Sequence, residues 1–145
     1  MQPLKNNRTG FTLLELMLVV TIIAIVATIA IPGITNARIA ANEASAISTV
    51  RTISTVNVQY RIRFGQFAGS LNDLQAENYI DSSGANPTKA GYTFAYVGNP
   101  TTFAFNGNPT NPGQSGYRYF FVDGSGVIRF NLAAPASAAD PAVAP

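Results

Sequence analysis

The chain has 145 residues, room for one domain, with nine Lys and Arg against seven Asp and Glu and neither histidine nor cysteine. Those absences exclude disulfides, Ser-His-Asp and Cys-His nucleophile systems, and zinc sites built on the two commonest ligands. The carboxylates at 15, 43, 73, 77, 81, 123 and 140 are scattered and give no glycosidase-like pair, so no enzyme activity, cofactor or metal is expected.

Residues 1–10 are short, polar and positively charged, with Lys5 and Arg8 ahead of Phe11. From Phe11 onward the charges balance. No concentrated basic face is left for a nucleic-acid partner, and Arg51, Arg61 and Arg63 read as a solvated cluster. Phe11 to Ile31 is apolar apart from Thr12, Glu15, Thr21 and Thr28. As a helix it covers about 31 Å, enough to cross a bilayer core, and the Lys5/Arg8 flank predicts a cytoplasmic N-terminus. Glu15 is the anomaly. A carboxylate in hydrocarbon costs roughly 2.5 kcal/mol or more, which makes it a functional suspect.

Pro32 and Gly33 predict a kink, because proline removes a backbone donor and crowds the preceding turn. Ile34, Ala37, Ala41, Ala44, Ile47 and Val50 then continue at steps of three and four, predicting one apolar face with Asn36, Arg38, Asn42, Glu43 and Arg51 off it. The helix is expected to run to Phe64 and stop at Gly65. Ser70 reads as a cap ahead of a short helix, and Asp73, Glu77 and Asp81 as an exposed face. Alternation in "GYTFAYVG", "TTFAFNG" and "GYRYFFVDGSGVIRFN" predicts three or four antiparallel strands, the last two joined at Asp123–Gly126. Their aromatic face is expected to pack on the helix between about Ala44 and Tyr60. Asp123 with Asn131 is a thin basis for a calcium site. The Ala/Pro-rich end, from Ala133, predicts a mobile tail.

The fold class is therefore α+β, a long N-terminal helix packed on an antiparallel sheet. Its segments are a leader (1–10), a membrane-spanning helix (11–32), an amphipathic helix (33–64), a loop-and-sheet region (65–132) and a flexible tail (133–145).

Gly10, Phe11, Thr12, Leu13, Leu14, Glu15 and Leu16, followed by the apolar run and Pro32 and preceded by a basic leader, resemble the class III signal of type IV prepilins and of the pseudopilins of type II secretion. "YRIRFGQFAGSLNDL" is similar to the helix end and following loop of many members, while the family's frequent C-terminal cysteine pair is missing. The resemblance implies cleavage by a prepilin peptidase between Gly10 and Phe11 and methylation of the new Phe11 amine. It also implies residence in the inner membrane and extraction into a homopolymeric helical filament by an assembly platform with a cytoplasmic ATPase. Passage through an outer-membrane secretin follows. Glu15 would pair with the Phe11 amine of a neighbouring copy, and Pro32 would let the helix kink or stretch.

Three readings stay open on the residues. The first is a filament subunit, either of a type IV pilus shaft (adhesion, twitching or DNA uptake) or of a secretion pseudopilus as a major pseudopilin. The second is a secreted domain cut after Ala30 behind an ordinary signal peptide. The third is an uncleaved single-span protein. The mature first residue separates them: Phe11, Ile31 or Met1.

Overall fold

A computed structural model describes residues 10–144, so the leader cations Lys5 and Arg8 lie outside the described residues. Helix α1 spans Leu13–Phe64. It contributes to two compact units that divide between Asn36 and Ala37.

In the first unit the large apolar side chains of the helix are exposed from Leu13 to Ile34. Its hydroxyls are satisfied within the helix. Thr21 donates to the Met17 carbonyl at 2.8 Å, Thr28 to Ala24 at 2.8 Å and Thr35 to Ile31 at 3.1 Å. That back-bonding lets threonine sit in an apolar segment without seeking water. Helical structure continues through Pro32 and Gly33.

In the second unit, α1 buries one face against a five-stranded antiparallel meander, β1 Thr88–Lys89, β2 Tyr92–Gly98, β3 Phe103–Pro109, β4 Tyr119–Asp123 and β5 Arg129–Asn131, in that order across the sheet. Ala46, Val50, Ile53 and Val56 from the helix meet Tyr92, Phe94, Phe103, Phe105, Phe120 and Val122 from the sheet. The strand alternation predicted from sequence holds: Tyr92, Phe94 and Tyr96 face inward, and so do Phe103 and Phe105. Phe94 and Phe105 stack at 5.5 Å with nearly parallel rings. They can do so because Gly107, paired with Phe94 across the strands, leaves room for the Phe94 ring where a Cβ would crowd it.

The local stops also hold. Gly65 closes α1 in the left-handed region (φ 76°), its N–H bonded to the Arg61 carbonyl at 2.8 Å. Ser70 and Asp73 form a reciprocal capping box on α2, Leu71–Ala76.

Three expectations change. The sheet has five strands rather than three or four. The extra strand, β1, is only two residues long and joins β2 through Ala90 and Gly91, both at positive φ (48° and 72°). That is the geometry of a two-residue primed turn, for which Asn-Gly, not Ala-Gly, is the usual sign.

The buried face of α1 is rotated from the predicted one. Ile34, Ala37, Ala41 and Ala44 are exposed, whereas Glu43 and Asn57 are buried together with Ile39, Ala46, Val50, Ile53 and Val56. Glu43 and Asn57 on the core side hide the true period, because each is buried with a partner from far along the chain.

The third change concerns the tail. Instead of trailing free, residues 141–143 run antiparallel to the outer edge of β5. The Phe130 N–H donates to the Pro141 carbonyl at 3.0 Å and the Val143 N–H to the Ile128 carbonyl at 2.8 Å. Backbone pairing holds the segment without the large apolar anchors that its sequence lacks.

Candidate assembly and processing segment

Gly10, Phe11 and Thr12 precede the helix and are exposed, Phe11 at 82%. The helix starts after Thr12 for a local reason: the Thr12 hydroxyl accepts the Glu15 N–H at 3.2 Å, while the Thr12 carbonyl accepts the Leu16 N–H at 3.2 Å. Thr12 is the N-cap and Glu15 the third residue of the helix. The spelling Thr-Leu-Leu-Glu is a capping-box pattern that the sequence carries in the open, and it sharpens the expectation for Glu15. The carboxylate lies in the first turn, where the helix macrodipole favours an anion.

Glu15 differs from the other polar groups of this stretch. The threonines have intrahelical partners; the Glu15 carboxylate has neither a hydrogen bond nor a cation partner among the described residues. Gly10 is also left unexplained by the fold. A Cβ built there meets nothing within 4 Å and its backbone is not in the left-handed region. By contrast, a side chain at Gly116 would collide with the Tyr92 hydroxyl. The fold therefore requires glycine at 116 and does not require it at 10.

A second glutamate on α1, missed as a buried residue by the periodicity, shows the opposite solution. Glu43 Oε1 accepts the N–H groups of Tyr117 (2.8 Å) and Arg118 (3.2 Å), and Oε2 accepts Arg118 Nε at 2.7 Å. Next to it, Asn42 donates to the Ser115 carbonyl at 3.0 Å. Burial pushes the Glu43 carboxyl up, but the donors from Tyr117 and Arg118 outweigh it and hold the group below the ordinary carboxylate range. Asn57 is a third case. The Tyr96 hydroxyl lies 2.8 Å from Asn57 Oδ1 and 2.7 Å from the Ala68 carbonyl, one proton between two acceptors. Desolvation there pushes the Tyr96 phenol up to about 12.

The remaining acidic residues do not converge. Asp73 caps α2, Glu77 lies 3.6 Å from Arg63, and Asp81 accepts the Gly84 N–H at 2.7 Å. Asn131 donates to Asp140 rather than meeting Asp123, whose carboxylate instead accepts the Ser125 N–H. Among the described residues no group of three or more Asp or Glu could hold a metal ion.

Residues 5–31 match the family model described as the prokaryotic N-terminal methylation motif. That motif is the class III signal of type IV pilins and pseudopilins, and it supports a precursor of that type. The match covers the leader, Gly10–Leu16 and the apolar run to Ile31, and the long apolar helix fits membrane anchoring of such a precursor. No curated protein matches the chain.

Proposed function

We propose that the chain is a shaft subunit of a type IV pilus, cut between Gly10 and Phe11, methylated on Phe11, and polymerised with its N-terminal helices in the filament core. The observation that carries this reading is Glu15: an ionisable group in the first turn of α1, among apolar side chains exposed from Leu13 to Ile34, without a cation partner among the described residues. A neighbouring copy's Phe11 amine supplies what the chain itself does not. The pair fixes the stagger between otherwise greasy helices, as a single buried polar residue fixes coiled-coil register.

Gly10 serves the peptidase, which needs a small residue before the cut, and this accounts for a glycine that the fold does not demand. Pro32, which removes one helix hydrogen bond, gives the helix a point at which to melt or stretch as copies pack. Lys5 and Arg8 keep the leader on the cytoplasmic side. An assembly platform with its ATPase extracts the subunit, and a secretin passes the filament.

The test is the N-terminus of the chain recovered from producing cells, together with electron microscopy of the cell surface. N-methylated Phe11 on subunits of long surface filaments is expected. Met1 or Ile31 as first residue overturns the proposal, and methylated Phe11 without surface filaments moves the chain to the pseudopilus of a secretion system.

A further inference from the structure

The segment after β5 is fastened at both ends by side chains. At its start, Asn131 Oδ1 accepts the Ala133 N–H at 2.9 Å and the Ala134 N–H at 3.3 Å. Its middle reaches β3, where Asn106 Nδ2 donates to the Ala136 carbonyl at 3.0 Å and Ala136 is buried. Its end gathers on Asp140. One carboxylate oxygen accepts the Ser137 N–H (2.7 Å) and hydroxyl (2.9 Å), the other accepts Asn131 Nδ2 (2.7 Å), and the Asp140 carbonyl accepts Arg129 Nη1 (2.8 Å).

Asn106 and Arg129 are both register partners of Phe121. Phe121 points away from the helix, opposite in alternation to Phe120 and Val122, and yet is buried. The segment therefore crosses the outer face of the sheet at Phe121 before returning to pair with β5.

We propose that residues 132–143 form an acid-released latch: at neutral pH the Asp140 carboxylate holds the segment over Phe121 and along β5, and its protonation frees the segment while the helix–sheet core stays folded. The Ser137 N–H, the Ser137 hydroxyl and the Asn131 amide all use that carboxylate as their acceptor, and Arg129 is the charged group that faces it. The Ser137 N–H, then the Ser137 hydroxyl and the Asn131 amide, hold Asp140 below the usual carboxylate range. A depressed folded value contributes stability above the ordinary aspartate value, about 3.9, and that contribution is lost as pH falls through the lower folded value. Release is thus an event of strongly acidic solution. It bares the N–H of Phe130, the outer edge of β5 and the Phe121 ring, a strand edge open to pairing with another chain.

The test is site-resolved hydrogen exchange on the full chain in detergent micelles. The amides of Phe130 and Val143 report the latch alone, because their acceptors are the carbonyls of Pro141 and Ile128. In Asp140→Ala at neutral pH, their exchange is expected to rise by about tenfold or more, with the β3 and β4 amides unchanged. Ser137→Ala, which keeps the N–H bond, gives a smaller rise at the same two amides. The unsubstituted chain, followed as pH falls through the acid range and corrected for intrinsic exchange, shows the same rise at Phe130 and Val143. Unchanged exchange at Phe130 and Val143 in Asp140→Ala overturns the proposal. So does loss of protection across the whole sheet, since the segment is then not a separable latch.

Discussion

Two glutamates on one helix meet opposite fates. Glu43 is buried against the sheet and finds Arg118 and two backbone N–H groups within its own chain. Glu15 stands in the apolar half, and among the described residues no cation pairs with it. The helical backbone is the same in both places. The difference is whether described residues from elsewhere in the chain surround the carboxylate. Where they do, a charge becomes part of the interior. Where they do not, the charge is available to another molecule, and the apolar side chains around it exclude water as a partner of choice.

The largest effect is expected at the unpaired end of that contrast. Glu15→Leu removes a charge that no described cation of the chain pairs with, so the subunit should still be processed and membrane-held. Filament yield, measured by shearing and quantifying surface filaments, should fall close to zero, in keeping with the roughly 3–5 kcal/mol penalty for breaking one side of a desolvated pair. Normal filaments from Glu15→Leu would remove the contrast altogether.

At the paired end, Glu43→Ala leaves Arg118 without its carboxylate and strips two N–H groups of their acceptor. A loss of about 3 kcal/mol is expected by denaturant titration of the full chain in micelles, with processing unaffected. The pH dependence has a definite sign. Because the folded Glu43 value is depressed, its contribution is complete above the ordinary glutamate value of about 4.3 and disappears as pH falls through the folded value. Glu43→Ala should flatten that part of the stability profile, and an unchanged profile would show that the pair is not what acid disrupts.

A smaller effect is expected at the neutral counterpart of Glu43. Tyr96→Phe leaves Asn57 Oδ1 and the Ala68 carbonyl without their shared donor. About 1–2 kcal/mol should be lost, read as a shift of the same unfolding transition without a change of slope.

What the sequence made legible follows a simple division. The apolar span, the Gly65 stop, the Ser70–Asp73 box and the inward ranks of Tyr92, Phe94, Phe103 and Phe105 were readable because each depends on neighbours a few residues away. Thr12 as the cap that places Glu15 was spelled by Thr-Leu-Leu-Glu but went unread until the structure showed it. Glu43 and Asn57 were not, since their burial depends on Arg118 and Tyr96, which no periodicity of α1 can announce. Counting alanines 37, 41 and 44 as core failed for a related reason: alanine fits either face of a helix, so it carries little directional information. The segment from Ala133 was misjudged because its hold is backbone pairing plus Asp140, neither of which registers as hydrophobicity.

The single proton of Tyr96 has a further bearing on how the domain unfolds. It lies where helix α1, strand β2 and the loop before α2 come together, with one acceptor from the helix and one from the loop. Detaching β2 takes the shared donor from Asn57 Oδ1 and the Ala68 carbonyl at once. A stepwise route with the sheet detached and the helix–loop contact intact is thus penalised at its first step, and the three pieces should melt in one transition rather than in sequence.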